Sequence, residues 1–189
     1  MQALKGSLVA LVTPLASNGS VDYAAIKDLV GWHIEQGTDG IVSVGTTGEA
    51  PTLSTKEHAE VITKTIEYVN GAIPVIAGTG GNSTHDSIAL TKEAASAGAD
   101  FCLLVTPYYN KPNQEGLLTH FTAIADSVDI PQILYNVPSR TACDILPSTV
   151  KTLAQHQNIV GIKEALDNMN RIKQLVKISK EMQDAKDFY

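Results

Sequence analysis

Six short apolar runs, recurring at regular intervals, constrain the fold of this 189-residue chain more than any other feature. Nearly every position in these runs is apolar, and most are Val, Ile or Leu, so the runs lack the alternation of a strand with one solvated face. Continuous apolar runs of this kind are typical of strands that are covered on both faces in a parallel sheet. They occupy residues 8–12, 41–44, 73–77, 101–105, 130–135 and 159–163.

The stretches between the runs have the pattern of amphipathic helices. Asp22 can cap a helix that Gly37 ends, and Ser54 with Glu57 matches a capping box for the next one. Further helices are predicted at about residues 83–98, 114–128, 147–155 and 168–181. Strands that alternate with helices predict the α/β class, here as six strand–helix units.

Two architectures can be made from such units. A closed (β/α)₈ barrel needs eight units and about 250 residues, whereas a doubly wound open sheet can be complete with five or six. The chain ends in Asp187-Phe188-Tyr189, which has the composition of the start of a seventh strand. We therefore expect residues 1–189 to form one domain, a TIM (β/α)₈ barrel truncated after about six units, without strands 7 and 8 and the C-terminal helical region.

Composition excludes several classes of function. The net charge is −6 and no basic stripe with interleaved aromatic residues occurs, which argues against nucleic-acid binding. No apolar stretch approaches the ~18–20 residues that span a bilayer, and the N-terminus lacks the layout of a signal peptide. Cys102 and Cys143 suggest neither a disulfide framework nor a metal site, so a cytoplasmic location is expected. The five histidines all fall in or beside predicted helices, which argues against a metal-dependent aldolase: His33, His58, His85, His120 and His156.

Polar residues follow each apolar run, at the place where both architectures carry their functional sites. The set contains hydroxyls, phenols, one guanidinium and one amine, and we expect it to converge on one rim of the sheet. Its members lie in segments 13–14, 45–49, 78–82, 106–112, 135–141 and 163–165.

Lys163 and Tyr135 are the most informative of these residues. Each ends a run, and the two runs are consecutive, so the amine and the phenol should lie at similar heights on neighbouring strands. A lysine beside a tyrosine suggests carbonyl chemistry through a Schiff base. A lysine nucleophile must be unprotonated part of the time, which apolar walls and the nearby Arg140 could promote. Each residue alone also fits a bland role, as a solvated strand-end lysine and an amphipathic core tyrosine.

Two glycine-rich loops and Arg140 allow both a structural and a binding interpretation. Gly45–Gly48 is either a plain turn or a carboxylate site made of backbone N–H groups and the Thr46 and Thr47 hydroxyls, and it lacks the ending of a P-loop. Residues 78–83 match a dinucleotide fingerprint only weakly, and we interpret them as a turn and helix cap. Arg140 either holds its loop or binds a substrate carboxylate.

Taken together, five segments resemble the dihydrodipicolinate synthase family, also called 4-hydroxy-tetrahydrodipicolinate synthases, of the N-acetylneuraminate lyase superfamily. The resemblance runs from about Gly6 to the end of the chain. It is carried by Gly45-Thr46-Thr47-Gly48-Glu49, by residues 74–80 (PVIAGTG), by residues 105–112 (VTPYYNKP), by residues 135–141 (YNVPSRT) and by residues 161–165 (GIKEA).

The resemblance implies a (β/α)₈ barrel that condenses pyruvate with L-aspartate 4-semialdehyde in lysine biosynthesis, without metal or organic cofactor. It makes Lys163 the Schiff-base nucleophile and Tyr135 a proton relay that works with Thr46 and Tyr109. Tyr109 would reach the neighbouring subunit's site, in a homo-oligomer that is a dimer of dimers. Thr47 would bind the pyruvate carboxylate and Arg140 that of the semialdehyde.

A lysine-inhibitor pocket is also implied, at His58, Asn82 and Tyr108. The chain departs from the family pattern at Thr55 and Asp86 around that pocket, and at Leu166-Asp167 after Lys163. Three alternatives remain open at this point. They are another pyruvate-dependent aldolase of the superfamily, a non-catalytic fragment of the synthase, and a nucleotide-binding open sheet.

Overall fold

The computed structural model describes residues 4–182 and 186–189. Its six strands belong to one sheet and follow each other in chain order, and the β1–β2, β2–β3 and β5–β6 pairs are parallel. The strands are β1 (Leu8–Ala10), β2 (Gly40–Ser43), β3 (Val75–Gly78), β4 (Phe101–Val105), β5 (Gln132–Asn136) and β6 (Ile159–Glu164). The six predicted strands are therefore all present.

Helices alternate with the strands as the apolar pattern predicted. They are α1 (Tyr23–Glu35), α2 (Thr55–Val69), α3 (Thr84–Ala97), α4 (Gln114–Ser127), α5 (Pro138–Thr141), α6 (Pro147–Leu153) and α7 (Met169–Met182). A single 3₁₀ turn, Ala50–Thr52, precedes α2. In the described part of the chain no helix combines the length and the apolar character needed to cross a membrane.

The chain divides into two compact units, and the first contains residues 4–79 and Lys92–Cys102. Its helices begin where the sequence predicted. The Asp22 carboxylate accepts a hydrogen bond from Ala25 N at 3.0 Å, and Ser54 and Glu57 form a complete capping box. Gly37, with φ of 77°, follows the end of α1 in the left-handed conformation that favours glycine.

The second unit contains Gly80–Thr91 and Leu103–Tyr189. Its apolar core is built from β4, β5 and β6 and from the inward faces of α4, α6 and α7, with Phe121, Leu134 and Ile159 fully buried. Burying such side chains stabilises the unit by about 1.5–3 kcal/mol each. Tyr189 also joins this unit's sheet, because its N–H donates to Val160 O at 2.9 Å and its carbonyl accepts from Ile162 N at 2.8 Å. Tyr189 thus pairs with β6 through two backbone hydrogen bonds.

Two prolines shift the observed strand boundaries from the predicted ones. β3 begins after Pro74 and β5 begins after Pro131, although the apolar runs start one residue before each proline. Proline has no N–H to donate to a strand ladder, so pairing begins at the next residue. The short helix α5, which the sequence analysis did not predict, starts at Pro138, where a proline is well suited to the first helical turn.

Candidate active site

Lys163 and Tyr135 lie side by side in the second unit. The two residues are register partners in the parallel β5–β6 pair, and Lys163 Nζ is 4.5 Å from the centroid of the Tyr135 ring. The tyrosine is buried at 7% exposure, whereas the lysine side chain is exposed. The prediction that these side chains lie at the same height on adjacent strands is confirmed. A cation over an aromatic face is attracted by it, so the ring holds the amine near the strand end.

The next register pair on the same strands, Asn136 with Glu164, points to the opposite face of the sheet. Asn136 is fully buried, and its side-chain N–H groups donate to both Glu164 carboxylate oxygens at 3.0 and 3.1 Å. Its carbonyl oxygen accepts from Ile145 N at 3.2 Å. A buried polar pair therefore lies directly behind the Lys163–Tyr135 pair.

Arg171 of α7 completes this polar group. Its Nε donates to Glu164 at 2.5 Å, and its terminal nitrogens contact Asp144 at 2.9 and 3.1 Å and the Ile145 carbonyl. The side chains of Arg171 and Glu164 are each 8% exposed. We call Asn136, Asp144, Glu164 and Arg171 the buried ion network. Breaking such a network by removing one ion is strongly destabilising, because the remaining charges stay buried without compensation.

The sequence analysis missed the buried ion network, although one signal was present. Arg171 occupies the first position of the apolar stripe of α7, which continues through Leu175, Ile178 and Met182. A charged residue on the buried stripe of a helix needs an ionic partner in the core. That signal points to a buried ion pair, but it does not identify Glu164 or Asp144 as the partners.

In the first unit, the loop after β2 forms a tight turn that exposes Thr46 and Thr47. Glu49 N donates to Thr46 O at 3.1 Å, and the Thr13 hydroxyl donates to Gly48 O at 2.7 Å. Val44, just before the turn, has φ of 54° although it is β-branched. Such a conformation is strained, and it persists only where the surroundings impose it.

Gly78 packs closely against Val44 and helps to impose this conformation. A Cβ added at residue 78 would lie 2.2 Å from the Val44 carbonyl oxygen, so only glycine fits at the end of β3. His58 of α2 is buried and lies on the same strand end, with Nε2 2.7 Å from Gly78 O. Burial lowers the pKa of His58. The interpretation of residues 78–83 as a turn and cap agrees with the Ser83 hydroxyl, which accepts from Asp86 N at 3.2 Å at the start of α3.

The loop after β4, in the second unit, presents Tyr109 to solvent. Tyr109 is 91% exposed and has φ of 72°, and Lys111 also has a positive φ. The loop is anchored by Asn110, whose side chain donates to Asn82 O at 3.0 Å, and Tyr108 is half-buried beside it. Asn82 and Tyr108 are thus near each other in the second unit, while His58, the third residue of the predicted inhibitor pocket, belongs to the first.

Arg140 lies on α5, the short helix that follows β5. Its guanidinium side is exposed, and the helix is held by Thr141, whose buried hydroxyl donates to Cys143 O at 2.9 Å. The planar guanidinium of Arg140 is therefore accessible to a carboxylate from solvent. Within residues 4–182 and 186–189, no cluster of three or more His, Cys, Asp or Glu side chains is arranged to hold a metal ion.

Known proteins share this sequence and fold. The model of the dihydrodipicolinate synthetase family matches residues 3–184. The 4-hydroxy-tetrahydrodipicolinate synthase of Alcanivorax borkumensis is 59% identical over 172 residues, which cover 91% of this chain and 58% of that protein. The chain therefore spans about three fifths of the length of the curated relatives it matches.

Solved structures give the same result. A chloride-inhibited dihydrodipicolinate synthase from Acinetobacter baumannii, complexed with pyruvate, is 55% identical and superposes with a TM-score of 0.91 over 93% of this chain and 60% of that one. The enzyme of Cyanidioschyzon merolae, with lysine bound, is 41% identical with a TM-score of 0.88 over 91% of this chain and 59% of that one. The predicted fold class, β/α units of a TIM barrel, is confirmed by these likenesses. On sequence and structure alike, the chain belongs to the dihydrodipicolinate synthetase family.

Proposed function

We propose that the protein condenses pyruvate with L-aspartate 4-semialdehyde to 4-hydroxy-tetrahydrodipicolinate, a step of lysine biosynthesis by the diaminopimelate route, and that Lys163 is its nucleophile. The observation that carries the proposal is the Lys163–Tyr135 pair, with the amine 4.5 Å from the ring centroid at the carboxyl end of β6. Amines at strand ends of this fold are well placed to attack a bound carbonyl group.

The reaction follows from the chemistry of these side chains. The Lys163 amine attacks the keto carbon of pyruvate and water leaves, which forms an imine. Loss of a methyl proton gives an enamine, whose carbon attacks the aldehyde of the semialdehyde. The amino group of that substrate then attacks the imine carbon and closes the ring, which releases Lys163. Tyr135 is proposed to relay the protons together with Thr46 and Tyr109, and the reaction needs no metal or organic cofactor.

Two exposed groups are proposed to bind the substrate carboxylates. The tight turn after β2 presents Thr47 and its neighbouring N–H groups, which suit the pyruvate carboxylate. Arg140 is proposed to bind the carboxylate of the semialdehyde through its planar fork. Another pyruvate-dependent aldolase of the superfamily is the second candidate, and Arg140 is the feature that favours the synthase over it.

Trapping with borohydride tests the nucleophile. Protein incubated with pyruvate and then reduced should carry one added adduct, located by peptide mass spectrometry at Lys163. Lys163→Met should abolish the adduct, whereas Lys177→Met, at an exposed lysine of α7, should leave it unchanged. An adduct elsewhere, or none in the folded protein, would overturn the assignment.

The second substrate separates the synthase from its relatives. An unreduced pyruvate enamine that reacts with aspartate 4-semialdehyde, but not with sugar-acid aldehydes, supports the synthase, and the opposite preference supports another aldolase. Arg140→Ala should weaken use of the semialdehyde and leave pyruvate trapping unchanged. The assay should be run on the 189-residue chain alone and with the remaining part of a relative added, because a chain active only in the second case would be a non-catalytic fragment.

Assembly, regulation and location complete the proposal. The 91% exposure of Tyr109 and its positive φ support a role at a subunit contact, in a homo-oligomer built as a dimer of dimers. Lysine is proposed to inhibit at His58, Asn82 and Tyr108. Residues 1–189 are proposed to act as one incomplete barrel domain in the cytoplasm, where Cys102 and Cys143 remain free thiols as they are in the structure.

A further inference from the structure

We propose that the buried ion network is a positioning device for the reaction, in which Glu164 and Asn136 hold the ends of β5 and β6 so that Lys163 stays in register with Tyr135. This inference rests on the function proposed for Lys163. Nothing in the chemistry of the Schiff base requires Glu164, Asn136, Asp144 or Arg171, since all of them act from the other face of the sheet.

The network lies directly beside the Lys163–Tyr135 pair. Asn136 and Glu164 are the register pair directly after Tyr135 and Lys163, so each of these two network residues is covalently adjacent to one member of the Lys163–Tyr135 pair. The side chain of Asn136 bridges the two strands through both Glu164 oxygens. A shift of one strand relative to the other would therefore break this bridge at the same time as it separated the amine from the phenol.

Glu164 also fixes the backbone just after Lys163. Its Oε1 accepts a hydrogen bond from Leu166 N at 2.9 Å, and Ala165 N donates to the backbone carbonyl of Asn136 at 2.9 Å. Both N–H groups belong to the loop that carries the family departure at Leu166-Asp167. The backbone just after Lys163 is thus fixed by two hydrogen bonds, although the lysine side chain is exposed.

The burial and charge of the network also favour a positioning role. Arg171 and Glu164 are each 8% exposed, so this ion pair lies largely out of water, whereas Asp144, the second carboxylate on the guanidinium, is 38% exposed. Replacing such a group by apolar side chains is often neutral or stabilising, so stability alone does not explain why four polar residues meet here. Directional hydrogen bonds from a planar guanidinium fix geometry better than apolar packing does.

Single-turnover trapping with pyruvate and borohydride tests the inference on the same protein. The amplitude of trapping measures how much protein is folded, and the rate constant at saturating pyruvate measures how well Lys163 is positioned. Glu164→Gln should lower this rate constant at least about tenfold, since small misplacements of reacting groups cost that much or more. The pyruvate concentration at half saturation should change less than about twofold, because no network residue is among those proposed to bind the pyruvate carboxylate.

The matched control is Glu181→Gln. Glu181 of α7 also pairs with a cation, Lys151 of α6, at 2.7 Å, but this pair is exposed. The trapping rate constant of the Glu181→Gln protein should equal that of the unmodified protein. If Glu164→Gln does not fold, Asp144→Asn is the substitute, because it removes the more exposed carboxylate and keeps the Glu164–Arg171 contact, and its rate constant should fall about threefold.

A second readout keeps the inference separate from the proposed function. Trace acetylation measures the reactivity of Lys163 relative to Lys177 without pyruvate. If the unmodified protein forms no pyruvate adduct, the proposed function fails, and the network is then judged by whether Glu164→Gln changes this ratio. A Glu164→Gln protein with unchanged trapping rate constant and unchanged acetylation ratio would overturn the positioning role, even if its melting temperature fell.

Discussion

The two units support their candidate site residues in different ways. In the second unit, Lys163 and Tyr135 are backed by charged side chains, the buried ion network, which join strand ends through hydrogen bonds. In the first unit, Thr46 and Thr47 stand on a turn that is shaped by backbone packing, with Gly78 against the strained Val44. The site residues of the second unit thus depend on ionic complementarity, whereas those of the first unit depend on the absence of a side chain at residue 78.

Arg171→Met, which removes the cation of the buried ion network, should have the largest effect on the free energy of unfolding. The substitution keeps most of the volume but leaves Glu164 and Asp144 without their cation, which should lower the free energy of unfolding by about 3–5 kcal/mol. Urea denaturation measures the change. Lys177→Met, which removes an exposed ion pair with Glu181 at 3.8 Å, should cost less than about 1 kcal/mol. Equal effects of the two substitutions would mean that burial of the network contributes nothing.

Gly78→Ala should disrupt the backbone packing that shapes the turn after β2 in the first unit. The added methyl would lie 2.2 Å from the Val44 carbonyl oxygen, which is backbone and cannot rotate away. We expect a loss of about 3 kcal/mol in the free energy of unfolding. Gly31→Ala is the matched control, because a Cβ at this position of α1 meets nothing within 4 Å, and it should stabilise the protein by up to about 1 kcal/mol. A neutral Gly78→Ala would show that the turn after β2 is not held by this contact.

Acid should weaken the second unit through His120, with a somewhat smaller effect. Burial lowers the pKa of His120 to about 4, and Nε2 has no hydrogen-bond partner within the described residues. Between pH 6.5 and about 4 the unfolded chain therefore binds a proton that the folded chain does not. The contribution of His120 to the free energy of unfolding should fall by roughly 2–3 kcal/mol across this window, and this contribution should level off below it.

His120→Gln isolates this contribution, because glutamine keeps a polar contact for Thr84, whose hydroxyl lies 2.8 Å from the ring in the native protein. Urea midpoints measured from pH 7 to pH 4 should show a shallower decline for the variant than for the native protein. Parallel declines would mean that the exposed carboxylates, and not the buried ring, account for the acid sensitivity.

Much of the fold and part of the candidate site could be predicted from the sequence. The apolar runs identified all six strands, and the equivalent positions of Lys163 and Tyr135 in consecutive runs predicted their register. The capping residues Asp22 and Ser54 marked the starts of two helices, because caps are made by residues close in the chain. Strand starts were misjudged at Pro74 and Pro131, where an apolar residue precedes an imino acid that cannot donate.

The α/β class, the parallel strands and the pairing of Lys163 with Tyr135 could all be inferred from the order of residues along the chain. These depend on periodicity and on repeated spacing, which a chain displays directly. Only the tertiary structure decided that Asn136, Asp144, Glu164 and Arg171 meet behind that pair, and that Gly78 packs against Val44. Contacts between residues far apart in the chain depend on how elements pack, and no local pattern specifies which carboxylate a buried arginine will find.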